Sequence, residues 1–418
     1  MNNRSLTAIC ILLVFVSAIV LGGCGNKAAE KKTIHFMTWA GGGEAAKIQV
    51  IIDAINAKNS DFQIVHEPSP NDYPTKLMTS LSGGSAADLL WIGSDDVPTL
   101  SEKGALMDIT DRLKADKTNK AANLSDYFPN VLKIAEYNGK YYGLPWIASP
   151  LLLFYNKDLF DKAGVSYPDD TWTWADFSAA AKKLTIPGKQ WGFSINNGSP
   201  PVQMYIWQTD GNVISADLKH SPIDSPQAIQ ALEYYFGMQG DGIHCVPKSV
   251  IQEQGFDTMF FDSHNVAMFI GGASDDLDKQ EHPFNIGVAA PPKGPTGIRA
   301  TQAWSALTAI NAKTPEPDLA YKALLQLTEA LHHVQPLPPV KSLANKESLK
   351  AAGPRSQQQI DVMLRILPDM RCYVAVPKQQ EWNDTWAKEV LEPMSLKGAN
   401  IPEIAKRARI KLEQFLIK

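Results

Sequence analysis

The sequence predicts an α/β protein built of two lobes. Strands and helices alternate along the chain, starting with a β-α-β-α-β order over residues 33–92 that is typical of a parallel sheet with right-handed crossovers. The length of 418 residues suits two or three domains, yet no long Gly/Ser-rich linker divides them. We therefore expect the lobes to share several chain crossings, with strands that continue from one lobe into the other forming the hinge.

The first unit opens with a strand at 33–39, TIHFMTW, which is rich in β-branched and aromatic residues. Three glycines at 41–43 lead into a helix whose apolar residues recur every three or four positions. A second strand covers 62–66, and the helix after it stops at the glycine pair 83–84. The third strand, DLLWI at 88–92, is almost entirely apolar, as expected for a parallel strand covered on both faces.

Turn and cap signals predict the elements in the rest of the chain. Asn138-Gly139 between aromatic residues indicates a hairpin turn, and the strand-like run WIASPLLLFYN follows Pro145. Thr173 with Asp176 three residues later resembles a capping box at a helix start. The remaining predicted elements are strands at 191–195, 266–270 and 305–310, and helices at 382–391 and from Pro226, Pro317 and Pro402.

The composition argues against a disordered chain and against a protein that binds nucleic acid. Apolar residues make up 44% and charged residues 20% of the chain, which are ordinary values for a folded protein and unlike those of a disordered one. The net charge of −4 gives no overall attraction to nucleic acid or to anionic lipid. We therefore expect no nucleic-acid partner.

The first 23 residues predict a secretion signal. Arg4 precedes an apolar run at 6–21 that is too short for a comfortable membrane span. The run ends in Leu21-Gly22-Gly23-Cys24, which resembles a bacterial lipobox and implies that Cys24 is diacylated. Two acyl chains suffice for stable anchoring. A plain signal peptide with a nearby cysteine is the alternative. Residues 24–32 then form a polar tether.

Common catalytic and metal-binding motifs are absent. The chain lacks G-x-x-x-x-G-K-[ST], H-E-x-x-H and G-x-S-x-G, and His332-His333 has no further ligands at metal-binding spacing. A G-x-G-x-x-A match at 41–46 is a weak signal for a dinucleotide site. We favour another role for these glycines, which is to let the N-terminus of the following helix approach a ligand. We expect no cofactor and no metal. Cys245 and Cys372 are predicted to be two separate buried thiols rather than a disulfide.

Two blocks in the middle of the chain carry a family pattern. LPWIASPLLLFYNKDLFDKAGV (144–165) and TWTWADFSAAAKKLT (171–185) are the most specific parts, and weaker blocks lie at 191–193, 207–215, 266–272 and 304–310. The pattern resembles that of the family 1 extracellular solute-binding proteins, the sugar-binding subunits of ABC importers. The resemblance covers nearly the whole chain from Ile34 onward.

The resemblance implies a periplasmic-binding-protein-like fold, type II-like, with a ligand cleft between two lobes joined by hinge crossovers. The parts it implies are a signal peptide at 1–23, a lipidated tether at 24–32, lobe I at 31–147 plus 303–337, and lobe II at 148–302 plus 338–418. It also implies a monomer that is anchored on the extracellular face and catalyses no reaction. Such a protein closes on a mono- or oligosaccharide and delivers it to permease subunits, which a cytoplasmic ATPase powers.

Candidate ligand-binding residues follow from the chemistry of sugars. Aromatic rings cover the apolar face of a sugar, acids and amides bind its hydroxyls, and ligands of α/β sheets lie beyond the carboxyl ends of strands. The family pattern adds the segment from Trp207 and the residue Trp382. The candidates are Trp39, Asp72, Tyr73, Asp95, Asp96, Trp207, Asp210, Gly211, Gly271, Gly272, Trp304 and Trp382.

Structural roles stay open for several of these candidates. Core packing is the alternative for the tryptophans Trp39, Trp304 and Trp382, and a turn or helix-cap role is the alternative for Asp72, Asp95 and Asp96. Arg371 either binds the carboxylate of a uronic acid or lies on the surface.

Two other functions also stay open. One is a secreted carbohydrate-active enzyme with two carboxylates in the same cleft. The other is a binding protein for a cationic solute such as a polyamine or quaternary amine, because Trp rings and Asp also suit cations. The salt dependence of the affinity distinguishes these ligands, because affinity for a neutral sugar should barely change with ionic strength.

Overall fold

The computed structural model describes residues 31–194, 202–239, 264–273, 284–334, 337–353 and 355–416, together with 245–247, 250, 253 and 260. The expected signal peptide, Cys24 and most of the tether lie outside the described residues. No helix among the described residues has the length and apolar character needed to cross a membrane.

The described strands are β1 (Lys32–Thr38), β2 (Phe62–Pro68), β3 (Leu89–Gly93), β4 (Glu136–Tyr137), β5 (Lys140–Tyr141), β6 (Gly143–Asn156), β7 (Met268–Gly272), β8 (Ile286–Ala289), β9 (Thr301–Ile310) and β10 (Met370–Cys372). The described helices are α1 (Gly42–Lys58), α2 (Tyr73–Gly83), α3 (Val97–Glu102), α4 (Thr110–Ala115), α5 (Pro129–Leu132), α6 (Lys157–Ala163), α7 (Trp174–Leu184), α8 (Val202–Gln208), α9 (Pro226–Gln239), α10 (Pro317–His332), α11 (Lys346–Ala351), α12 (Gln357–Ile366), α13 (Gln379–Trp386), α14 (Glu392–Met394) and α15 (Ile401–Leu412).

One large mixed sheet organises these elements. Its strand order is β2-β1-β3-β9-β6-β7, with β10 beside β9 and β8 beside β6. β1 pairs in parallel with both β2 and β3, which confirms the predicted parallel unit at the start of the chain. β9 runs antiparallel to both β3 and β6, so the later part of the chain adds antiparallel strands to that parallel unit.

β6 and β9 are the two strands that pass between different parts of the sheet. β6 pairs with β9 through residues 143–150 and with β7 and β8 through residues 151–156. β9 pairs with β3 through residues 306–310 and with β10 through residues 301–303. These are the continuous crossover strands that the sequence analysis expected at the hinge.

Local sequence signals account for the elements that surround the sheet. α1 buries Ile48, Ile52 and Ile55 on one face, as its spacing predicts. Thr173 and Asp176 form the predicted capping box at the start of α7. The turn between β4 and β5 has positive φ at both Asn138 and Gly139, the geometry of a tight hairpin turn.

Three hydrophobic clusters fill the space around the sheet. One packs α7, α8, α9 and α15 against β6, and a second packs α1 and α10 against the parallel strands. The third joins the middle of β6 and β9 to α12 and β10. Cys245 lies in the first cluster and Cys372 in the third, in keeping with two separate buried thiols.

Three predicted elements differ in extent. β6 begins at Gly143 rather than at Pro145. The strand predicted at 191–195 appears only as isolated bridges at Trp191, Phe193 and Ser194, and Ile195 lies outside the described residues. The helix predicted at 382–391 is α13, which starts earlier and continues into one π-helical turn at Ala387–Leu391.

Gly143, opposite Ala309, lies where the backbone of β6 closely approaches β9. A Cβ atom there would overlap the Leu307 side chain and the carbonyl oxygen of Thr308, and the latter cannot move without shifting β9. We expect Gly143→Ala to lower the free energy of unfolding by about 1–3 kcal/mol, the usual cost of overpacking. Chemical denaturation measures this change.

Gly237→Ala is the control for this substitution. Gly237 lies within α9, and a Cβ there would meet no heavy atom within 4 Å. Alanine in a helix is favoured over glycine, so this variant should gain up to about 1 kcal/mol. Equal denaturation midpoints for the two variants would contradict the close approach of β6 and β9.

Candidate functional site

A cavity of about 380 Å³ lies where four parts of the chain meet. They are the turn after β3, the start of α8 with a later loop residue, the first half of β9, and the C-terminal segment from β10 through the π-helical turn. The lining residues are Ser94, Asp95, Val202, Gln203, Val213, Gln302, Ala303, Trp304, Tyr373, Asn383, Trp386 and Leu391.

Strand β9 supplies the aromatic wall of the cavity. Side chains alternate between the two faces of a strand, and Gln302 and Trp304 alternate with the buried residues Thr301, Ala303 and Ser305. The Trp304 side chain is 46% exposed, an unusual state for so large an apolar ring. Its free surface is therefore available to a ligand in the cavity.

The turn after β3 supplies the acidic wall. Residues Ser94–Asp96 form a single 3-10 turn at the carboxyl end of β3, the place where α/β sheets hold their ligands. The Ser94 hydroxyl donates a hydrogen bond to Oδ1 of Asp95 at 3.1 Å. Burial raises the pKa of the Asp95 carboxyl, and the Ser94 hydrogen bond acts against that rise.

The pKa of the Asp96 carboxyl is raised more strongly than that of Asp95. The residue keeps exposed surface, but protein atoms crowd its carboxyl group. This burial, with the charge of Asp95 as a smaller cause, raises the pKa of Asp96 to about 6. Asp95, which lines the cavity, and its neighbour Asp96 thus both have carboxyls that resist ionisation.

Gln379 orients the polar groups of the C-terminal wall. Its Oε1 accepts a hydrogen bond from the backbone N–H of Val376 at 2.8 Å. Its Nε2 donates to the Tyr373 hydroxyl at 3.3 Å and to Oδ1 of Asn383 at 2.7 Å. Burial raises the pKa of the Tyr373 hydroxyl, and the nearby charge of Asp95 adds to the rise. The amide nitrogen of Asn383 can therefore donate to a ligand.

Gln208 positions helix α8. The side chain is fully buried, accepts a hydrogen bond from Nε1 of Trp174 at 2.7 Å, and donates to the carbonyl oxygen of Ala300 at 2.9 Å. These bonds tie the end of α8 to α7 and to the segment before β9. As a result, the first residues of α8, Val202 and Gln203, lie on the cavity.

A cluster of tryptophans supports Trp304 from behind. Trp91 of β3 and Trp146 of β6 stack with their ring centroids 4.2 Å apart. Trp39 packs against Trp91 at 4.9 Å and against Trp304 at 6.1 Å, and Trp146 also contacts Trp304 at 6.4 Å. Trp304 is the exposed member of a cluster that joins β1, β3, β6 and β9.

Two of the predicted residues, Asp95 and Trp304, line this cavity. Trp39 is half-buried and contacts Trp304, and Asp96 follows Asp95 in the same turn. Tyr73 is buried, and its hydroxyl donates to the carbonyl oxygen of Trp91 at 2.8 Å. In this structure the Tyr73 hydroxyl therefore ties α2 to the sheet, and its contact with a ligand stays a prediction.

Trp207 and Trp382 are also buried away from this cavity, and their contact with a ligand stays a prediction. Trp382 has no exposed surface, Trp207 is 4% exposed, and neither ring lines the cavity. Trp382 packs in the hydrophobic cluster around α15. Trp386, one helical turn later in α13, presents its ring to the cavity instead.

Asp72, Asp210 and Gly211 form turns at helix ends. Asp72 has φ of 56° at the residue that precedes α2, and Asp210, the second residue after α8, has φ of 62°. Gly211 donates its N–H to the carbonyl oxygen of Ile206 at 2.9 Å and closes the end of α8. None of the three lines the cavity, so turn formation is their observed role.

Gly271 and Gly272 lie in β7, opposite Leu152 and Leu151 of β6. Their contact with a ligand stays a prediction. Among the described residues, no group of three His, Cys, Asp or Glu side chains is arranged to hold a metal ion.

Residues 50–329 match the family of bacterial extracellular solute-binding proteins. The chain belongs to this family. A putative binding protein of Brucella abortus is 26% identical over 373 residues, which covers 87% of this chain and 88% of that protein. The arabinooligosaccharide-binding protein of Bacillus subtilis is 24% identical over 257 residues, 57% of this chain and 55% of that one.

Solved structures agree with the family assignment. An ABC substrate-binding protein from Listeria monocytogenes, solved in complex with cycloalternan, superposes with a TM-score of 0.77 at 25% identity, covering 92% of this chain and 99% of that chain. The predicted two-lobed, periplasmic-binding-protein-like α/β fold is confirmed. The family and these neighbours are substrate-binding proteins, not enzymes.

The raised pKa of Asp96 predicts an unusual dependence of stability on pH. The folded protein holds this proton more tightly than the unfolded chain, whose Asp pKa is about 3.9. The free energy of unfolding therefore falls as pH rises from about 4 to about 6. Asp96→Asn removes this loss, so the variant should be more stable than the wild type at pH 7 and equal to it near pH 4.

Urea unfolding of both proteins at several pH values tests this, with Asp116→Asn as a control of opposite sign. The Asp116 carboxylate accepts backbone N–H bonds from Thr118 and Asn119 at 3.0 and 3.1 Å, which hold its pKa below the usual value. Asp116→Asn should lose stability at pH 7. A difference for Asp96→Asn that does not change with pH would show that Asp96 ionises normally.

Proposed function

We propose that this protein binds a mono- or oligosaccharide outside the cell and delivers it to the permease of an ABC importer. The observation that carries the proposal is the lining of the cavity. Trp304, Trp386 and Tyr373 offer rings for the apolar face of a sugar, and Asp95 and Asn383 offer an acceptor and a donor for its hydroxyls. Pockets with mainly apolar walls and a few convergent polar groups are typical of small-molecule sites.

The relatives support a saccharide as the ligand. The Bacillus subtilis relative is named for arabinooligosaccharides, and the Listeria monocytogenes structure holds cycloalternan. A binding role needs no covalent step, so the carboxyls Asp95 and Asp96 act here by hydrogen bonding. Incubation with a bound oligosaccharide should leave it intact, and chromatography that found cleavage products would favour an enzyme instead.

Binding is proposed to work by closure of two lobes around the cavity. Lobe I comprises residues 31–147 and 303–337, and lobe II comprises 148–302 and 338–418. This division is supported by β6, which changes its partner from β9 to β7 and β8 at residue 151. A sugar that contacts Asp95 of one lobe and Trp386 of the other favours the closed state over the open one.

The same proposal covers the location of the protein and its partners. Residues 1–23 are a signal peptide, and Cys24 carries lipid that anchors a monomer to the extracellular face of the membrane. The order Leu21-Gly22-Gly23-Cys24 supports this anchor. The closed lobes are then recognised by permease subunits, and a cytoplasmic ATPase supplies the energy.

A thermal-shift screen against mono- and oligosaccharides tests the binding role, because a ligand that binds only the folded state raises the melting temperature. Calorimetry on the strongest hit then compares variants. We expect Trp386→Ala to lose at least about tenfold in affinity, about 1.4 kcal/mol, since it removes a ring of the cavity wall. Trp386→Phe keeps a ring and should retain most of the affinity.

Two outcomes would contradict this proposal. One is a screen in which polyamines or quaternary amines raise the melting temperature and saccharides do not. The other is a saccharide hit whose affinity is unchanged in Trp386→Ala. In the second case the sugar binds outside the cavity.

A hydrogen bond from Thr99 is expected to stabilise the closed state. Thr99 lies in α3, directly after the turn of Asp95, and its hydroxyl donates to the carbonyl oxygen of Pro377 at 2.6 Å, just before α13. This hydrogen bond joins the acidic wall to the wall that carries Trp386. Thr99→Val should weaken the closed state by about 1 kcal/mol, about fivefold in affinity, through faster sugar dissociation.

Stopped-flow fluorescence measures the dissociation rate, with Thr99→Ser as the matched control. Serine keeps the hydroxyl and should release the sugar at nearly the wild-type rate. If valine and serine variants dissociate equally fast, the Thr99–Pro377 bond does not discriminate between open and closed states.

A further inference from the structure

Arg371 lies on the same face of the sheet as the cavity. It is the middle residue of β10 and stands beside Gln302 of β9 in parallel register. Register partners on neighbouring strands project to the same face, and Gln302 lines the cavity. Tyr373, two residues after Arg371, also lines it. The flanking residues Met370 and Cys372 are buried in the cluster on the opposite face.

The charge of Arg371 has no dedicated partner in the described part of the chain. The side chain is half-buried, and the described residues provide it with no hydrogen bond or ion pair within contact distance. Its charge acts on Asp369: burial raises the pKa of that carboxyl, and the charges of Arg299, Lys293 and Arg371 oppose the rise. Asp369 is thus shared among three cations.

The other carboxylate of this region is already paired. Asp170 contacts Arg365 at 2.8 Å and Arg299 at 3.5 Å, and its backbone carbonyl accepts a further hydrogen bond from Arg299 at 2.8 Å. Among the described residues, the cluster around Asp369 thus has four cationic side chains, Arg299, Arg365, Lys293 and Arg371, against the carboxylates of Asp170 and Asp369. This cluster is positive, whereas the acidic residue Asp95 lines the cavity itself.

A half-buried guanidinium without a partner is suited to bind an anion. Its planar N–H groups match a carboxylate or a phosphate with two parallel hydrogen bonds, and such charge-assisted bonds are the strong ones in proteins. The described residues that line the cavity include no lysine or arginine. Arg371 is the register partner of Gln302 and lies two residues before Tyr373, both of which line the cavity. A ligand that extends from the rings past Gln302 is directed along the face of the sheet that carries Arg371.

We infer that the ligand is an acidic saccharide, whose carboxylate or phosphate group is bound by Arg371 while its ring lies against Trp304 and Trp386. This inference rests on the proposed saccharide-binding function and names the class of saccharide. The neutral part of the ligand occupies the cavity, and its anionic group determines which saccharides the protein binds.

The experiment compares matched acidic and neutral ligands by thermal shift and calorimetry on the mature chain. The probes are galacturonate and its oligomers against their methyl esters, glucuronate against its methyl ester, and glucose 6-phosphate against glucose. The uronate pairs and the phosphate pair distinguish the two anionic groups. We expect an acidic member to bind at least about tenfold tighter than its neutral partner, with an affinity that falls as salt is added.

Variants assign that preference to Arg371. In Arg371→Met the acidic ligand should lose at least about tenfold in affinity, and its neutral partner should bind as in the wild type. Arg371→Lys keeps the charge without the planar donor pair and should fall between the two. Arg112→Met is the control, because Arg112 pairs with Asp318 on the surface of α4 and should leave both affinities unchanged.

The outcomes separate this inference from the proposed function. A neutral saccharide that binds as tightly as its acidic partner, with no effect of either Arg371 variant, overturns the inference and leaves the saccharide function standing. A chain that binds no saccharide of the panel or of the wider screen contradicts the proposed function, and the inference falls with it. If Arg371→Met does not fold, Arg371→Lys provides the test instead, because lysine keeps the positive charge at this position.

Discussion

The pairing of β6 with β9 is the constraint on which the rest of the structure depends. These strands are antiparallel neighbours over residues 143–150 and 303–309, and each continues into a second set of partners. The cavity walls are attached to them: Trp304 and Gln302 lie on β9 itself, and Tyr373 follows β10, which pairs with β9. Relative movement of the walls bends this pair of strands, because both strands run without a break from one set of partners to the other.

The tryptophan cluster connects that strand pair to the ligand. Trp146 of β6 and Trp91 of β3 are fully buried, and both contact Trp39, which in turn contacts Trp304. Rings packed in tilted and edge-on geometry resist sliding, because each is held by several neighbours. The exposed Trp304 ring is therefore presented rigidly, and a ligand meets a surface that is formed before it binds. Preorganisation of this kind lowers the entropic cost of binding.

Local signals in the sequence predicted most of the fold, whereas the site was predicted only in part. The capping box at Thr173 and the hairpin turn at Asn138 depend on neighbouring residues alone, so they could be predicted exactly where they occur. Asp95 followed from the rule that ligands lie beyond strand ends. Trp386 was missed and Trp382 chosen instead, because packing against the cluster around α15 decides which face of α13 is buried. Arg371 required the β9–β10 register, which links residues far apart in sequence.

The polar groups around the cavity are costly to the folded protein in the absence of a ligand. Asp95 and Asp96 have raised pKa values because burial disfavours their charged forms, and Arg371 holds a half-buried charge that no described residue pairs with directly. Ionised groups that are partly removed from water destabilise a fold unless something compensates them. Sites that retain such groups exchange stability for function. A ligand that supplies hydroxyls to Asp95 and an anion to Arg371 restores both sets of interactions at once, so the same groups that weaken the unliganded protein define the orientation of what it binds.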